Sequence, residues 1–140
     1  MDKALLSKTA AAMVAKGKGV LAADESAGTC EKRFQSIDTP CTEENRRAYR
    51  GLLFTTPGVE KFVSGVILFD ETLRQKADDG TPFGDLLVKK GILPGIKVDK
   101  GAMDLALCPG EKVTEGLDGL RPRLAEYFKL GARFAKWRAV

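Results

Sequence analysis

The stretch Gly19–Ser26, which reads GVLAADES, decides the fold class of this chain. Its apolar core, Val20–Ala23, is followed at once by acidic and hydroxyl side chains. A short apolar run without alternation predicts a strand that is buried on both faces, as in a parallel sheet. Three similar runs occur further along the chain, at Gly65–Phe69, Gly95–Asp99 and Arg133–Arg138. We therefore predict four buried strands.

Helical patterns separate these four strands. Apolar spacing, cap residues and stop signals predict helices over residues 5–14, 31–37, 42–54, 83–90 and 120–130. The first of these is expected to be amphipathic and to end at Gly17. The longest irregular stretch is predicted at Lys100–Gly116. Strands that alternate with helices indicate an α/β protein with a parallel sheet.

The net charge of +4 is spread over short basic pairs along the 140 residues rather than gathered in one arm. A nucleic-acid-binding arm clusters its cations or interleaves them with aromatic residues, so this pattern argues against a nucleic-acid partner. A small anionic ligand such as a phosphate ester fits scattered cations better. No apolar run approaches the roughly 20 residues that span a bilayer, so we expect no membrane partner.

Histidine is absent from the sequence, and three cysteines, Cys30, Cys41 and Cys108, occur without a Cys-x-x-Cys motif. These counts argue against a His-ligated zinc site and against a Ser/His/Asp or Cys/His triad within the chain. An odd number of cysteines also argues against a disulfide framework and favours a reducing compartment.

Charged residues fall at or inside the predicted strands. Asp24 ends the first strand, Lys97 lies in the third, and Lys136 and Arg138 lie in the fourth. A lysine in a buried strand is costly unless it meets a partner or a ligand. Cations at such places can hold phosphate oxygens, and a lysine near an aspartate can take part in proton transfer. The alternative is structural: Lys–Asp pairs that tie adjacent strands together.

Seven segments together resemble the class I fructose-1,6-bisphosphate aldolases, in the order of that family and over nearly the whole chain. They are Gly19–Ser26, Thr42–Arg50, Gly65–Phe69, Gln75–Gly80, Gly95–Gly101, Gly116–Leu120 and Gly131–Arg138. The resemblance implies an α/β fold that is the N-terminal half of a TIM (β/α)8 barrel, with an N-terminal helix and about four parallel strands. A complete barrel needs roughly 250 residues. Residues 1–140 are therefore expected to form a single incomplete barrel domain.

The resemblance also implies roles for particular residues. Asp24 corresponds to an aspartate that acts near the bond being cleaved, and Lys136 to a lysine that assists proton transfer. Five further residues correspond to substrate-binding positions, several of them near phosphate: Ser26, Thr29, Arg33, Lys97 and Arg138. Thr29 stands where many family members have serine.

The family reaction is the reversible cleavage of fructose 1,6-bisphosphate to dihydroxyacetone phosphate and glyceraldehyde 3-phosphate, in glycolysis and gluconeogenesis. A Schiff-base lysine supplies the electron sink, so the resemblance implies neither a metal nor a cofactor. That lysine lies in a motif like Leu-Leu-Lys-Pro on the sixth strand, and this motif does not occur in the sequence. We expect the N-terminal part of an aldolase, a carbon–carbon lyase by family, without turnover of its own.

Several alternatives stay open from the sequence. The chain could instead be a non-catalytic half-barrel fragment that binds a sugar phosphate or a protein partner. A natural truncation and an incomplete reading frame both account for the missing motif. A homo-oligomer is implied for a complete family member, with no expectation for this chain. The cytoplasm is the expected location, with a plastid open if a transit peptide precedes the sequence.

Overall fold

The computed structural model describes residues 2–140, which form a four-stranded parallel sheet with flanking helices and a separate two-stranded hairpin. The helices are α1 (Lys3–Met13), α2 (Ala27–Gln35), α3 (Glu43–Thr55), α4 (Asp70–Arg74), α5 (Phe83–Lys89) and α6 (Leu120–Lys129), with a 3-10 turn at Val59–Lys61. The strands are β1 (Gly19–Ala23), β2 (Val63–Leu68), β3 (Leu93–Lys97), β4 (Gly101–Asp104), β5 (Lys112–Glu115) and β6 (Phe134–Lys136). The predicted α/β class is confirmed.

The parallel sheet has the strand order β1-β2-β3-β6. Its register places Ala23 beside Leu68, Leu68 beside Ile96, and Ile96 beside Ala135. Residues that follow this row therefore leave the sheet together at its carboxyl edge. All four predicted strands are present, but only the central strands β2 and β3 are largely buried. The predicted burial was wrong for the outer strands, because β1 is mostly exposed before Ala23 and β6 has no buried residue. Strand β6 also ends at Lys136. Arg138 thus lies beyond the strand in which the sequence placed it.

The hydrophobic core lies between the sheet and its helices. Phe54 of α3 and Phe83 of α5 meet edge to face with ring centroids 5.2 Å apart. Leu68 and Ile96 from the sheet pack into the same cluster, and both are at most 1% exposed. Their β2 and β3 strands are central and bury both faces, which explains why their sequences are apolar without alternation.

Helix α2 begins earlier than predicted. The sequence placed it at residues 31–37, whereas the structure has it at Ala27–Gln35. The backbone carbonyl of Ser26 accepts hydrogen bonds from the amides of Thr29 at 3.0 Å and Cys30 at 2.9 Å, and so begins the helix. The small residues after Ser26 gave no apolar period from which this turn could be predicted. The earlier start places Thr29 and Arg33 on one helix.

The prediction that Lys100–Gly116 is irregular was wrong. Strands β4 and β5 pair antiparallel within it, from Gly101 opposite Glu115 to Asp104 opposite Lys112. These strands are short and largely exposed, so they lack the buried apolar run by which the other strands were recognised. Helix α4 was likewise missed, because five residues are too few to show a helical period.

Helix α1 is present, with the Asp2 carboxylate accepting a hydrogen bond from the Leu5 amide at 3.0 Å. None of its residues is buried, so its apolar side does not contribute to the core. A hydrogen bond from the Ser64 hydroxyl to the Met13 carbonyl, at 2.6 Å, connects it to β2. Within residues 2–140, no helix has the length and apolar character needed to cross a membrane.

Gly95 allows β3 and β6 to approach each other. A Cβ atom at this position would lie 2.3 Å from the ring of Phe134, much closer than van der Waals contact. We expect Gly95→Ala to lower the free energy of unfolding by roughly 1–3 kcal/mol, because the aromatic ring must move. Urea unfolding monitored by circular dichroism measures the change.

Gly19→Ala is the matched control, because Gly19 also lies in a parallel strand but has no atom within 4 Å of its Cβ position. Its unfolding free energy should change by less than about 1 kcal/mol. Equal losses in the two variants would contradict the close approach of Phe134 to Gly95.

Candidate functional site

A cleft of about 790 Å³ lies at the carboxyl edge of the parallel sheet. It is lined by every residue that the sequence analysis assigned to a site: Asp24, Ser26, Thr29, Arg33, Lys97, Lys136 and Arg138. They come from the end of β1, helix α2, and the ends of β3 and β6. The parallel sheet explains this grouping, because the carboxyl ends of all its strands meet at one edge.

Lys136 and Asp24 form an ion pair within the cleft. The Lys136 Nζ donates a hydrogen bond to the Asp24 Oδ2 at 2.8 Å. Lys136 lies on β6 and Asp24 follows β1, which are the two outer strands of the sheet. The sheet therefore curls far enough for side chains from its opposite edges to touch.

Asp99 forms a second, more buried pair with Lys97. The Lys97 Nζ donates to the Asp99 Oδ1 at 2.6 Å and to its backbone carbonyl at 2.8 Å. The same carboxylate accepts hydrogen bonds from the amides of Gly101 and Arg138, both at 3.2 Å. It thus joins the end of β3, the start of the hairpin and the segment after β6. Burial raises the pKa of Asp99, but the hydrogen bonds outweigh it and hold the pKa below its ordinary value.

These contacts test the alternative that the strand lysines serve only in Lys–Asp pairs that tie adjacent strands together. Lys136 does connect two strands through Asp24, although they are the outer strands and not adjacent ones. The partner of Lys97, in contrast, lies two residues away on its own segment. Both lysines also line the cleft, so each has a carboxylate partner while remaining available to an anion.

Helix α2 brings hydroxyl groups and a cation to one side of the cleft. The Ser26 and Thr29 hydroxyl oxygens are 3.2 Å apart. The Arg33 side chain lies one turn further on and is 54% exposed. Its Nη1 forms an ion pair with the Glu25 Oε1 and donates to the Tyr49 hydroxyl at 3.1 Å. This arrangement of two hydroxyls and an arginine is suited to phosphate oxygens.

Buried Arg50 stabilises this side of the cleft through Glu25, a role that the sequence did not indicate. It lies on α3, is 2% exposed, and pairs with the Glu25 Oε2 at 2.8 Å. Its Nη2 also donates to the Glu25 backbone carbonyl at 2.9 Å. Glu25 therefore connects buried Arg50 to exposed Arg33. This role could not be recognised from the sequence, because nothing there distinguishes buried Arg50 from the more exposed arginines beside it on α3.

Arg123 and Tyr127 of α6 line the cleft as well, and the sequence analysis did not single them out. Arg123 donates to the carbonyls of Val98, at 3.1 Å, and Gly116. Tyr127 is buried, and this burial raises the pKa of its hydroxyl. Within residues 2–140 there is no group of three or more His, Cys, Asp or Glu side chains that could hold a metal ion.

A family model described as fructose-bisphosphate aldolase class-I matches residues 5–140 of this chain. The chain belongs to the class I fructose-bisphosphate aldolase family. A probable fructose-bisphosphate aldolase class 1 from Xylella fastidiosa is 66% identical over 135 residues, covering 96% of this chain. The cytosolic fructose-bisphosphate aldolase 5 of Arabidopsis thaliana is 60% identical over 135 residues, again covering 96% of this chain.

The fold comparison agrees with this assignment. A solved structure of fructose-bisphosphate aldolase from Plasmodium falciparum, in complex with TRAP and a small-molecule inhibitor, matches 97% of this chain with a TM-score of 0.94 and 54% identity. This match confirms the partial aldolase barrel. The chain spans 40% of the length of the Xylella relative, 38% of the Arabidopsis relative and 39% of the Plasmodium chain.

The Asp99 contacts predict a pH-dependent contribution to stability. Because the folded-state pKa of Asp99 is depressed, its contribution is present above the unfolded-state pKa of about 3.9 and is lost as the pH falls below it. We expect Asp99→Asn to lower the free energy of unfolding by roughly 2–3 kcal/mol at pH 7, since Lys97 loses a buried partner. The deficit should shrink as the pH falls through 4. Urea unfolding across this pH range provides the measurement.

Asp104→Asn is the control, because Asp104 also pairs with a lysine, Lys112, but lies on the exposed hairpin. Its loss should be at most about 1 kcal/mol. A deficit in Asp99→Asn that stays constant between pH 7 and pH 3 would contradict the assigned ionisation.

Proposed function

We propose that this chain forms one side of a sugar-bisphosphate site for the reversible cleavage of fructose 1,6-bisphosphate. The observation that carries the proposal is the convergence of Asp24, Lys97, Lys136 and Arg138 in one cleft at the carboxyl edge of the sheet. Six cationic side chains line that cleft against four carboxylates, so its charge favours an anionic ligand.

Five residues bind the substrate in this proposal. They are Ser26, Thr29, Arg33, Lys97 and Arg138. The first two offer hydroxyls, and the next two offer cations from different sides of the cleft. The last, an arginine, lies just beyond β6. Lysine and arginine donate charge-assisted hydrogen bonds to phosphate oxygens, and hydroxyls complete the shell. The arginines are suited to bidentate contacts, whereas Lys97 acts as a point charge.

Asp24 and Lys136 carry the acid–base part of the proposal. The Lys136 Nζ donates a hydrogen bond to the Asp24 Oδ2 at 2.8 Å, and both residues line the cleft. Such a pair can exchange a proton with a substrate hydroxyl or with the amine and carbonyl groups of a developing Schiff base. The proposal assigns no Schiff-base lysine to this chain. The reaction therefore also needs a Schiff-base lysine that the proposal does not place within residues 1–140.

Other parts of the proposal concern the surroundings of the site. We treat residues 1–140 as one incomplete barrel domain, supported by the single hydrophobic cluster. The proposed chemistry is metal-free and needs no cofactor, and nucleic acid is not a proposed partner. A cytoplasmic location is supported by the cytosolic relative from Arabidopsis thaliana. A complete family member is proposed to be a homo-oligomer.

A second function, binding without catalysis, is favoured by the outer edges of the sheet. In the described part of the chain, β1 pairs only with β2, and β6 only with β3. Unpaired strand edges can accept a further strand from a protein partner. This alternative retains the anion-binding cleft but assigns no reaction to it.

Titration calorimetry with fructose 1,6-bisphosphate tests the proposed function. We expect Lys97→Ala and Arg138→Ala each to weaken binding by roughly 10-fold, because each removes a charge-assisted contact to phosphate. Lys8→Ala is the control, since Lys8 is an exposed lysine of α1, outside the cleft. It should bind as the parent chain does.

Equal affinities in all four proteins would contradict the phosphate role of the cleft. Circular dichroism of each variant separates a loss of binding from a loss of fold. A coupled assay on the same samples should show no cleavage by the isolated chain. Cleavage would show that the chain contains its own Schiff-base lysine, contrary to the proposal.

A further inference from the structure

Cys30 and Cys41 both lie beside the first turn of α2. Cys30 is the fourth residue of this helix and is fully buried. Cys41 precedes α3 and is partly exposed, and its thiol lies 3.6 Å from the carbonyl oxygen of Ala27, the first residue of α2. Residues three apart on a helix lie on the same face. The Cys41 sulfur therefore lies next to the turn that carries Cys30.

Each of the two sulfurs also lies beside an arginine of α3. The Cys30 sulfur is 3.7 Å from the Arg50 Nη2, and the Cys41 sulfur is 3.6 Å from the Arg46 Nη1. Arg46 and Arg50 are four residues apart on α3, so their Cβ atoms are separated by about 6 Å on one helix face. Both thiols therefore lie beside the same face of α3.

The surroundings make the two thiols unequal. Burial raises the pKa of the Cys30 thiol, Arg50 only partly offsets this, and Glu25 and, to a smaller extent, Cys41 raise it further. Cys30 is also shielded from solvent. Cys41 is the thiol that a dissolved reagent can reach.

We propose that Cys30 and Cys41 are a reversible redox pair that closes to a disulfide when the chain meets a low-molecular-weight disulfide such as oxidised glutathione. Both are free thiols in the structure, which represents the reduced form. Disulfides in reducing compartments are typically transient and redox-sensing, so this pair is compatible with such a compartment.

The reaction proceeds in two exchange steps. The Cys41 thiolate attacks oxidised glutathione, its sulfur bonds to one glutathione sulfur, and the other leaves as a glutathione thiolate. The Cys30 thiol then gives up its proton, and its sulfur displaces the second glutathione from Cys41. Two protein thiols are oxidised to one disulfide, while one glutathione disulfide is reduced to two thiols. The second step is intramolecular, so Cys30 need not reach bulk solvent.

The crosslink would affect the proposed binding cleft through α2. This helix carries Thr29 and Arg33, and its N-terminal turn is where the Cys41 segment would be attached. The disulfide would close a loop that contains the second half of α2 and the connection to α3, and so restrict how far this side of the cleft can move.

Peptide mapping of the full chain after incubation with oxidised glutathione tests the pair. Trypsin cleaves after Lys32 and Arg33, so Cys30 and Cys41 fall in separate peptides that only a disulfide can join. We expect the linked peptides to appear, to be lost on adding dithiothreitol, and to be absent in Cys41→Ser. After unfolding in denaturant, two of the three cysteines should no longer react with iodoacetamide.

Cys108→Ser is the matched control, because Cys108 is also partly exposed but lies on the distant hairpin turn, and it should leave the linked peptides unchanged. Cys41→Ser replaces a partly exposed thiol by its nearest isostere, and circular dichroism verifies its fold. A stable glutathione adduct on Cys41 with Cys30 still free would overturn the proposal. So would a disulfide that joins two chains or involves Cys108.

Discussion

The curl of the parallel sheet, which the contact between Lys136 and Asp24 reveals, is the constraint on which the arrangement of the cleft depends. These residues belong to the two outer strands of a four-stranded sheet, yet their side chains are 2.8 Å apart. The contact is possible only because the sheet curls, as strands in a barrel wall must. The same curl turns the carboxyl ends of all four strands toward one space. The cleft is therefore a consequence of sheet geometry, and the ion pair lies in its lining.

Two further carboxylates fix the positions of cations at the sides of the cleft. Asp99 joins Lys97 to the backbone after β6, and Glu25 joins buried Arg50 to exposed Arg33. Each carboxylate limits the motion of a cation that the proposal assigns to phosphate binding. A cation held in place loses less conformational entropy when a ligand binds, so these pairs prepare the site as well as neutralising charge.

The sequence predicted the features that depend on local pattern. The four predicted runs became strands, although only the central two are buried, and the polar residues at their ends came together as the parallel sheet requires. It failed where the deciding contact is distant or the element is exposed. The β4–β5 hairpin has no buried run, and the start of α2 depends on the Ser26 carbonyl. The burial of Arg50 becomes visible only when α3 packs beside Glu25.

The most direct test of the account is an NMR titration of the isotope-labelled chain with fructose 1,6-bisphosphate. The account places the ligand at the carboxyl edge of the sheet. Saturable shifts should therefore concentrate on the amides of Asp24, Ser26, Thr29, Lys97 and Arg138, with little change in α1. Shifts confined to α1 or to the β4–β5 hairpin, or no saturable shifts at the carboxyl edge, would contradict it.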